Sequence, residues 1–276
     1  MSLPEFLSRM GQSAKSVVKM ALQSRRSTVS NADRGGRPLI IMGNGPSLAD
    51  NIRDDIELLK HSDTLAVNFA ANAPEFSELR PRYYLLADPH FFVRPVTDPN
   101  VTRMLRKFLE VDWEMTLFVP ASAKIDILNP NIRIERFNFV GVEGFRWLER
   151  WAYRKGLGMP RPRNVLVPAI MTGISLGYRR IYIIGADHTW LRTLSVSDDN
   201  MVVTVQPHFY KDNDEERERV TAVYRDVRLH DILLSFHLAF KSYHAIAQYA
   251  RAEGVEIINS TPGSFIDAFP RQRLPM

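Results

Sequence analysis

Three features of the sequence predict an α/β fold. Short apolar runs alternate with amphipathic stretches of helical length along most of the chain. The first apolar run passes into a glycine-rich turn and then a helix, and polar residues follow several of the later runs. Parallel strands need connections long enough to return to the start of the sheet, so this alternation indicates a mainly parallel sheet with helices on both faces. The expected architecture is Rossmann-like, with a small lid region.

The individual elements follow from the apolar runs and from helical periodicity. Strands are predicted at 38–42, 64–68, 83–87, 115–119, 132–137, 181–184 and 255–258. Helices are predicted at 47–60, 101–110, 143–155, 165–177, 214–228 and 232–253. The stretch from 214 to 251 is long for one helix, and Arg228-Leu-His-Asp231 predicts a break with Asp231 as a new N-cap. Residues 190–213 lack periodicity, which predicts a lid or binding loop.

Composition narrows the class of protein. The chain has 276 residues, 45% of them hydrophobic, which is enough for a full core. It has no cysteine, which excludes disulfides and thiol chemistry and fits the cytoplasmic location that we expect. No apolar run reaches the roughly 18 residues of a membrane span. The net charge of +5 arises within residues 1–37, which hold seven basic and two acidic side chains, and the near-neutral remainder argues against a nucleic-acid partner.

Residues 1–37 are predicted to form a basic amphipathic helix and a linker that precede the main domain, residues 38–276. Apolar residues from Leu3 to Ala21 recur at steps of three and four, and Ser27 to Gly36 is polar. The helix could rest on an anionic membrane surface through residues 1–30, which would make the protein peripheral at the membrane. It could equally pack on its own domain or on a partner, and both interpretations stay open.

The turn Gly43-Asn44-Gly45-Pro46-Ser47 follows the first predicted strand. Its glycines allow positive φ and close backbone approach, and Ser47 could cap the helix that follows. Backbone N–H groups and the helix N-terminus suit a phosphate at such a turn, and the Asn44 amide suits a base or a sugar hydroxyl. An ordinary strand-to-helix turn is the alternative, because the motif is neither a Walker A loop nor a complete dinucleotide fingerprint.

Polar residues recur where the predicted strands end. Asn68, Asp88 and Asp187 follow the second, third and sixth strands, and Thr189 lies just beyond Asp187. The carboxyl ends of parallel strands meet at one edge of the sheet. Together with Asn44, these side chains therefore predict a polar rim around a nucleotide-sized ligand.

Further candidate residues come from a helix, from the predicted lid and from one strand end. Thr172 could reach a ligand, whereas close packing of the helix on the sheet is the simpler explanation of Gly173. Two histidines are candidate general bases: His208, with Tyr210 as a phenol neighbour in the lid, and His188 at a strand end. No close group of His, Asp and Glu has the spacing of metal ligands, so no metal site is predicted.

The order of these motifs resembles that of a known family. The motifs are Gly43-Asn-Gly-Pro-Ser-Leu, the Asn68 strand, Asp88-Pro-His-Phe-Phe, the block from Met171 to Asp187, and His208-Phe-Tyr. They stand in the order seen in glycosyltransferase family 42, the bacterial sialyltransferases, which the chain resembles over about residues 38–270. The resemblance extends to a broader group of bacterial polysaccharide-cluster proteins related to archaeal 6-hydroxymethylpterin pyrophosphokinases.

The resemblance implies an inverting, metal-independent glycosyltransferase. The implied donor is a CMP-linked sugar, the acceptor a glycan or glycolipid of surface polysaccharide assembly, and no further cofactor is required. His208 would remove the proton from the acceptor hydroxyl. The family also assembles through its C-terminal helices, which implies a homo-oligomer. By their positions in the shared motifs, the resemblance implies that five residues take part in binding the donor: Asn44, Asn68, Thr172, Gly173 and Asp187.

Departures from the family pattern leave other functions open. Thr189 and Trp190 stand where the family has tyrosines, one of which Tyr210 could replace, and Asp88 stands where it has an asparagine. A carboxylate near a phosphate is unfavourable unless it is protonated, turned to a hydroxyl or bound to a metal. One alternative is a Mg-ATP-dependent diphosphokinase of the pterin type, with Asp88 as a metal ligand. The other is a non-catalytic protein that binds nucleotide sugars.

Overall fold

The computed structural model describes residues 2–31, 36–203 and 227–275. Its strands are β1 (Leu39–Met42), β2 (Asp63–Val67), β3 (Tyr83–Leu85), β4 (Met115–Pro120), β5 (Ile132–Phe137), β6 (Arg180–Ile184), β7 (Ser195–Val196), β8 (Val202–Val203) and β9 (Glu256–Asn259). In the described part of the chain, seven of them form one sheet in the order β5-β4-β3-β2-β1-β6-β9, with every pairing parallel. The strands β7 and β8 form a separate antiparallel hairpin. The predicted α/β class is therefore confirmed.

The helices surround this sheet. They are α1 (Leu3–Gln23), α2 (Leu48–Lys60), α3 (Phe76–Leu79), α4 (Pro99–Leu109), α5 (Arg146–Arg154), α6 (Leu166–Ser175) and α7 (Leu229–Ala252). The predicted helix at 214–228 lies outside the described residues except for its last two, which are not helical. The helix α7 begins at Leu229, within the stretch where a break was predicted, but Asp231 is not its N-cap. Asp231 is the third residue of α7, and its carboxylate accepts the N–H of Arg228 at 3.3 Å.

The sheet separates two apolar cores. Leu39 and Ile41 of β1 belong to the core beneath α5, α6 and α7, whereas Ile40 and Met42 belong to the core beneath α2 and α4. This division follows from the strand geometry, because successive side chains point to opposite faces.

The order of the strands reverses between β1 and β6. The chain adds β2 to β5 on one side of β1 and then returns to place β6 and β9 on the other side. In open parallel sheets, ligands bind beyond the carboxyl ends of the strands at such a switch point. The loops that follow β1 and β6 therefore occupy the position where this class of fold binds its ligands.

The helix α1 packs on the main body of the protein. Ser16 donates a hydrogen bond to the Glu143 carbonyl at 2.7 Å, and Ser13 accepts one from the N–H of Phe145 at 2.9 Å. Met20 is 7% exposed and belongs to the core beneath α5. Of the two interpretations of this helix, packing on its own domain is thus observed, through a largely polar face.

The segment after α1 runs along the outer edge of β5. The N–H of Thr28 donates to the Arg136 carbonyl at 3.0 Å, and the N–H of Arg136 donates to the Thr28 hydroxyl at 2.7 Å. Asn138, just after β5, accepts the N–H of Arg25 and donates to its carbonyl, both at 2.8 Å. The polar stretch predicted as a linker therefore begins as a partner of the edge strand.

Candidate functional site

The turn after β1 packs directly on the turn after β6. The N–H of Gly43 donates to the Ile184 carbonyl, and the N–H of Gly45 donates to the Gly185 carbonyl, both at 2.8 Å. A Cβ atom on Gly43 would lie 2.4 Å from the Gly185 oxygen, and one on Gly45 would lie 2.0 Å from Oδ2 of Asp187. Both glycines are therefore required by close approach. Neither glycine adopts the positive φ that it would allow, whereas Gly185 does, at +62°.

The carboxylate of Asp187, in the turn after β6, lies against the N-terminus of α2. Its Oδ2 accepts hydrogen bonds from the Ser47 hydroxyl at 2.8 Å and from the Ser47 N–H at 3.4 Å. Ser47 itself has helical φ and ψ of −65° and −14° and makes no capping bond with its side chain, so the predicted Ser47 cap is wrong. The Asp187 carboxylate supplies the negative charge that this helix end favours. It also stands where the sequence predicted a phosphate.

Three asparagine amide oxygens lie at the carboxyl ends of β1 and β2. The Asn44 amide nitrogen donates to the Val67 carbonyl at 3.2 Å, and that of Asn72 donates to the Asn100 carbonyl at 3.1 Å. Asn68 follows β2 directly with a left-handed φ of +51°. Within the described residues, Oδ1 of Asn44, Asn68 and Asn72 is buried without a hydrogen-bond partner. Buried acceptors without donors are costly, so these three atoms suit the hydroxyl or amino groups of a ligand.

Asp88 has a local structural role at the end of the third strand. Its side chain is exposed, and its Oδ1 accepts the N–H of His90 at 2.9 Å, which caps the 3-10 turn Pro89–Phe92. His90 in turn lies 2.7 Å from Oδ2 of Asp98, the N-cap of α4. In the ranges that the structure describes, no group of three or more His, Asp or Glu residues could hold a metal ion.

Thr172 and Gly173 are consecutive residues of α6, and Gly173 packs against the amino ends of β1 and β6, opposite the carboxyl ends that carry the rim. A Cβ atom on Gly173 would lie 2.8 Å from Leu39 and 3.1 Å from Ile181, which are the first residue of β1 and the second of β6. Thr172 is 3% exposed in the same turn of α6. The structure therefore corrects the expectation that Gly173 lines the donor site, and the role expected of Thr172 stays a prediction. Gly173 allows the helix to pack closely on the sheet, as the alternative interpretation held.

His188 is buried within a hydrogen-bonded chain. Its ring centroid lies 4.1 Å from that of Trp190, and its Nε2 lies 2.6 Å from the hydroxyl of Tyr243. Tyr243 donates to Oδ1 of Asn164 at 2.9 Å, and the same oxygen accepts the N–H of Leu166 at the start of α6. Burial lowers the pKa of His188 to about 3. A neutral imidazole with so low a pKa is a weak general base, so this environment favours a structural role for His188.

The other two proposed catalytic residues, His208 and Tyr210, lie outside the described residues. The same is true of residues 204–213 of the lid expected at 190–213. Thr189, the neighbour of His188, is half-buried at the start of the 3-10 turn Thr189–Arg192.

The loop after β9 holds the β6 turn in place, a role that sequence reasoning missed. Thr261 accepts the N–H of Ala186 at 3.0 Å, and Ser264 donates to the Ala186 carbonyl at 2.6 Å. The N–H of Phe265 donates to the Asp187 carbonyl at 2.9 Å. Hydroxyl residues directly after the last strand were the available signal. Asn164 and Tyr243, which tie His188 to α6 and α7, were also missed.

Comparison with known proteins shows a likeness at the level of the fold. No family model matches the chain, and no curated protein matches it, so the expected membership of glycosyltransferase family 42 and the relation to pterin kinases gain no support there. Among solved structures, the chain is similar to the MAf glycosyltransferase from Magnetospirillum magneticum AMB-1, with a TM-score of 0.51 and 11% identity. The match covers 99% of this chain but only 39% of that one, so the chain spans less than half of its length. The likeness agrees with the Rossmann-like α/β architecture.

None of the described helices is both long and apolar enough to cross a membrane.

Proposed function

We propose that this protein is an inverting glycosyltransferase that uses a nucleotide-activated sugar, CMP-linked, and needs no metal. The observation that carries the proposal is the set of unpartnered amide oxygens of Asn44, Asn68 and Asn72 beside the topological switch point. Ribose hydroxyls and the amino group of cytosine are donors of the kind these atoms lack. The structural neighbour is itself a glycosyltransferase, which supports the general class. The proposed acceptor is a glycan or glycolipid of bacterial surface polysaccharide.

The proposed reaction is a single displacement at the anomeric carbon. The acceptor hydroxyl attacks this carbon, the bond from the carbon to the phosphate oxygen of CMP breaks, and the hydroxyl proton passes to a base. His208 is the proposed base, with Tyr210 as its neighbour; both lie outside the described residues. The asparagine oxygens would hold and orient the nucleotide, which brings the reacting atoms together at little entropic cost during the reaction.

A thermal-shift panel of CMP, CDP, UDP, GDP and ATP, each with and without Mg²⁺, tests the donor class. Ligand binding to the native state raises the melting temperature by mass action. We expect CMP or CDP to stabilise the protein without Mg²⁺, and a CMP-sugar to release CMP when turnover is measured. Stabilisation by ATP with Mg²⁺ alone would replace the proposal with the diphosphokinase. No shift with any nucleotide would overturn nucleotide binding altogether.

We also propose that α1 contacts the membrane surface. Its face toward the protein carries Ser13 and Ser16, whereas its outer face is apolar, which reverses the usual pattern of a surface helix. At least half of the side-chain surface is exposed at Leu3, Leu7, Val17, Val18 and Leu22. Basic residues of the helix and the segment that follows would lie near anionic headgroups. The adjacent helix α5 exposes Trp147 by 69% and Trp151 by 47%, and tryptophan suits the membrane interface.

Sedimentation with vesicles tests this contact. The wild type should bind vesicles of phosphatidylcholine and phosphatidylglycerol, and the double variant Leu7→Glu, Val18→Glu should lose that binding. Leu128, 86% exposed in the loop between β4 and β5, gives the matched control Leu128→Glu, which should bind as the wild type does. Equal binding by the double variant would contradict the proposal. If the double variant instead dissociates an oligomer while the wild type ignores vesicles, the face is a contact between copies of the chain.

A further inference from the structure

A cavity of about 790 Å³ opens beyond the carboxyl ends of β3, β4 and β5. It lies at the same edge of the sheet as the asparagine rim, because Ala87 in its wall follows β3, and β3 pairs with β2, the strand that Asn68 follows. The end of α1, at Leu22, closes one side. This volume lies in the range of sites that hold small molecules, and the position is the one where parallel sheets bind ligands.

The charge in this cavity has one sign. Arg25, Lys124 and Arg136 line it, and no Asp or Glu is among the described residues of its lining. Among the residues that the structure describes, none of these three cations takes part in an ion pair. A concave surface lined by positive charges concentrates anions, because its low-dielectric walls focus the electric field.

Hydrogen bonds position one of these cations and the main chain of another. One guanidinium nitrogen of Arg136 donates to the Ala123 carbonyl at 2.8 Å, which fixes the group on the cavity wall and leaves further N–H donors for a ligand. Asn138 fixes the main chain of Arg25 by binding both its N–H and its carbonyl at 2.8 Å. The Arg25 guanidinium donates to the Leu22 carbonyl at 3.4 Å. Groups fixed in advance lose less conformational entropy when a ligand binds.

The remainder of the lining is largely apolar. Phe92 lies on one wall, Phe139 and Val140 on another, and Leu22 at the end of α1. An anion held only by its charge would not need these side chains. The cavity therefore suits a phosphate group attached to a less polar body, such as a sugar ring or a lipid chain.

We propose that this cavity binds a phosphate-bearing ligand through Arg25, Lys124 and Arg136, and that this ligand is the second substrate of the protein. Binding of the phosphate follows from the cavity alone. Its assignment as the acceptor rests on the proposed function, since the cavity lies at the same edge of the sheet as the asparagine rim, where the donor would lie. A free sugar phosphate and a lipid-linked phosphate share the chemistry that the cavity recognises.

Calorimetric titration of the full chain tests the binding. Glucose 1-phosphate should bind and uncharged methyl glucoside should not. Lys124→Gln and Arg136→Gln should each weaken the binding about tenfold or more, the usual effect of losing a charge-assisted hydrogen bond. Arg26→Gln is the matched control, because Arg26 is exposed beside Arg25 but does not line the cavity. Lys124 is exposed, so its variant remains informative if Arg136→Gln fails to fold.

A second titration distinguishes the source of the phosphate. Tighter binding of monomeric dihexanoyl phosphatidic acid, in competition with glucose 1-phosphate, would identify a lipid-linked ligand; preference for glucose 1-phosphate would identify a free sugar phosphate. Absence of binding by both compounds, or equal binding by the Lys124→Gln variant, would overturn the inference. Thermal shifts with CMP on the same samples separate the two proposals. A protein that binds CMP but neither glucose 1-phosphate nor phosphatidic acid refutes the cavity assignment alone, and the reverse result refutes the donor site alone.

Discussion

Replacement of Gly43 by alanine should destabilise the protein by about 3 kcal/mol. The added Cβ would lie 2.4 Å from the oxygen and 2.9 Å from the carbon of the Gly185 carbonyl, and 3.3 Å from the oxygen of Ile184. All three are backbone atoms, so no side-chain rotation can relieve the contact. The turn after β1 would have to move away from β6 by up to about 1 Å before ordinary contact distances return.

That movement sets the size of the effect. It would weaken the two hydrogen bonds that join the turns, from Gly43 to Ile184 and from Gly45 to Gly185. Each contributes about 1 kcal/mol net, and overpacking of a tight site adds about 1 to 3 kcal/mol. For a domain of roughly this size, 1 kcal/mol lowers the melting temperature by about 2 to 4 °C, so we expect a fall of about 6 to 12 °C.

Thermal and denaturant unfolding measure this prediction. Gly11→Ala is the control, because Gly11 lies inside α1 and, apart from its chain neighbours and the backbone of the helix itself, no atom lies within 4 Å of the Cβ position there. That substitution should stabilise the helix by about 0.5 to 1 kcal/mol. If the Gly43→Ala variant melts within about 2 °C of the wild type, the close approach of the two turns is refuted, and with it the geometry of the candidate site.

Three other predictions concern the surroundings of the site. Burial lowers the pKa of His188 to about 3, so the unfolded chain binds this proton more tightly, and stability should fall as the pH drops from about 6.5 toward 3. By pH 5 the loss should reach about 2 kcal/mol in denaturant titrations and be absent in His188→Gln; an equal loss in that variant would assign the effect elsewhere. Tyr178→Phe should cost about 2 to 3 kcal/mol, because it removes the hydroxyl that donates to buried Asp63 at 2.6 Å; a change below about 0.5 kcal/mol would contradict this. Asn138→Leu should leave the main-chain N–H and carbonyl of Arg25 without these partners. Hydrogen exchange should then become faster in α1 than in the sheet, whereas unchanged exchange would show that α1 is held by other contacts.

The strands could be predicted from the sequence because each is a short, nearly continuous apolar run, which is typical of a sheet covered on both faces. Their ends were located well enough to place Asn44 and Asn68 just after β1 and β2, while the binding role of both residues stays a prediction. Both assignments depend only on local sequence and on the rule that parallel strands end at one edge.

Contacts between distant elements could not be predicted in this way. Ser47 and Asp187 meet because β6 pairs with β1, and nothing local specifies that pairing. The resemblance placed Gly173 in the donor site, whereas in the structure it packs on the first residues of β1 and β6. The sequence alone does not show which part of the sheet α6 packs on. The environment of His188 likewise depends on Tyr243, which belongs to a helix far along the chain.

Calorimetric titration of CMP without Mg²⁺ tests the central claim most directly. The wild type should bind CMP, and Asn44→Ala and Asn68→Gly should each bind it about tenfold or more weakly, since each loses a buried acceptor. Glycine is used at position 68 because it tolerates the φ of +51° there. Asn131→Ala, an exposed residue before β5, should bind as the wild type does. Equal affinity in all four proteins, or no binding by the wild type, would contradict the assignment of the asparagine rim as a nucleotide site.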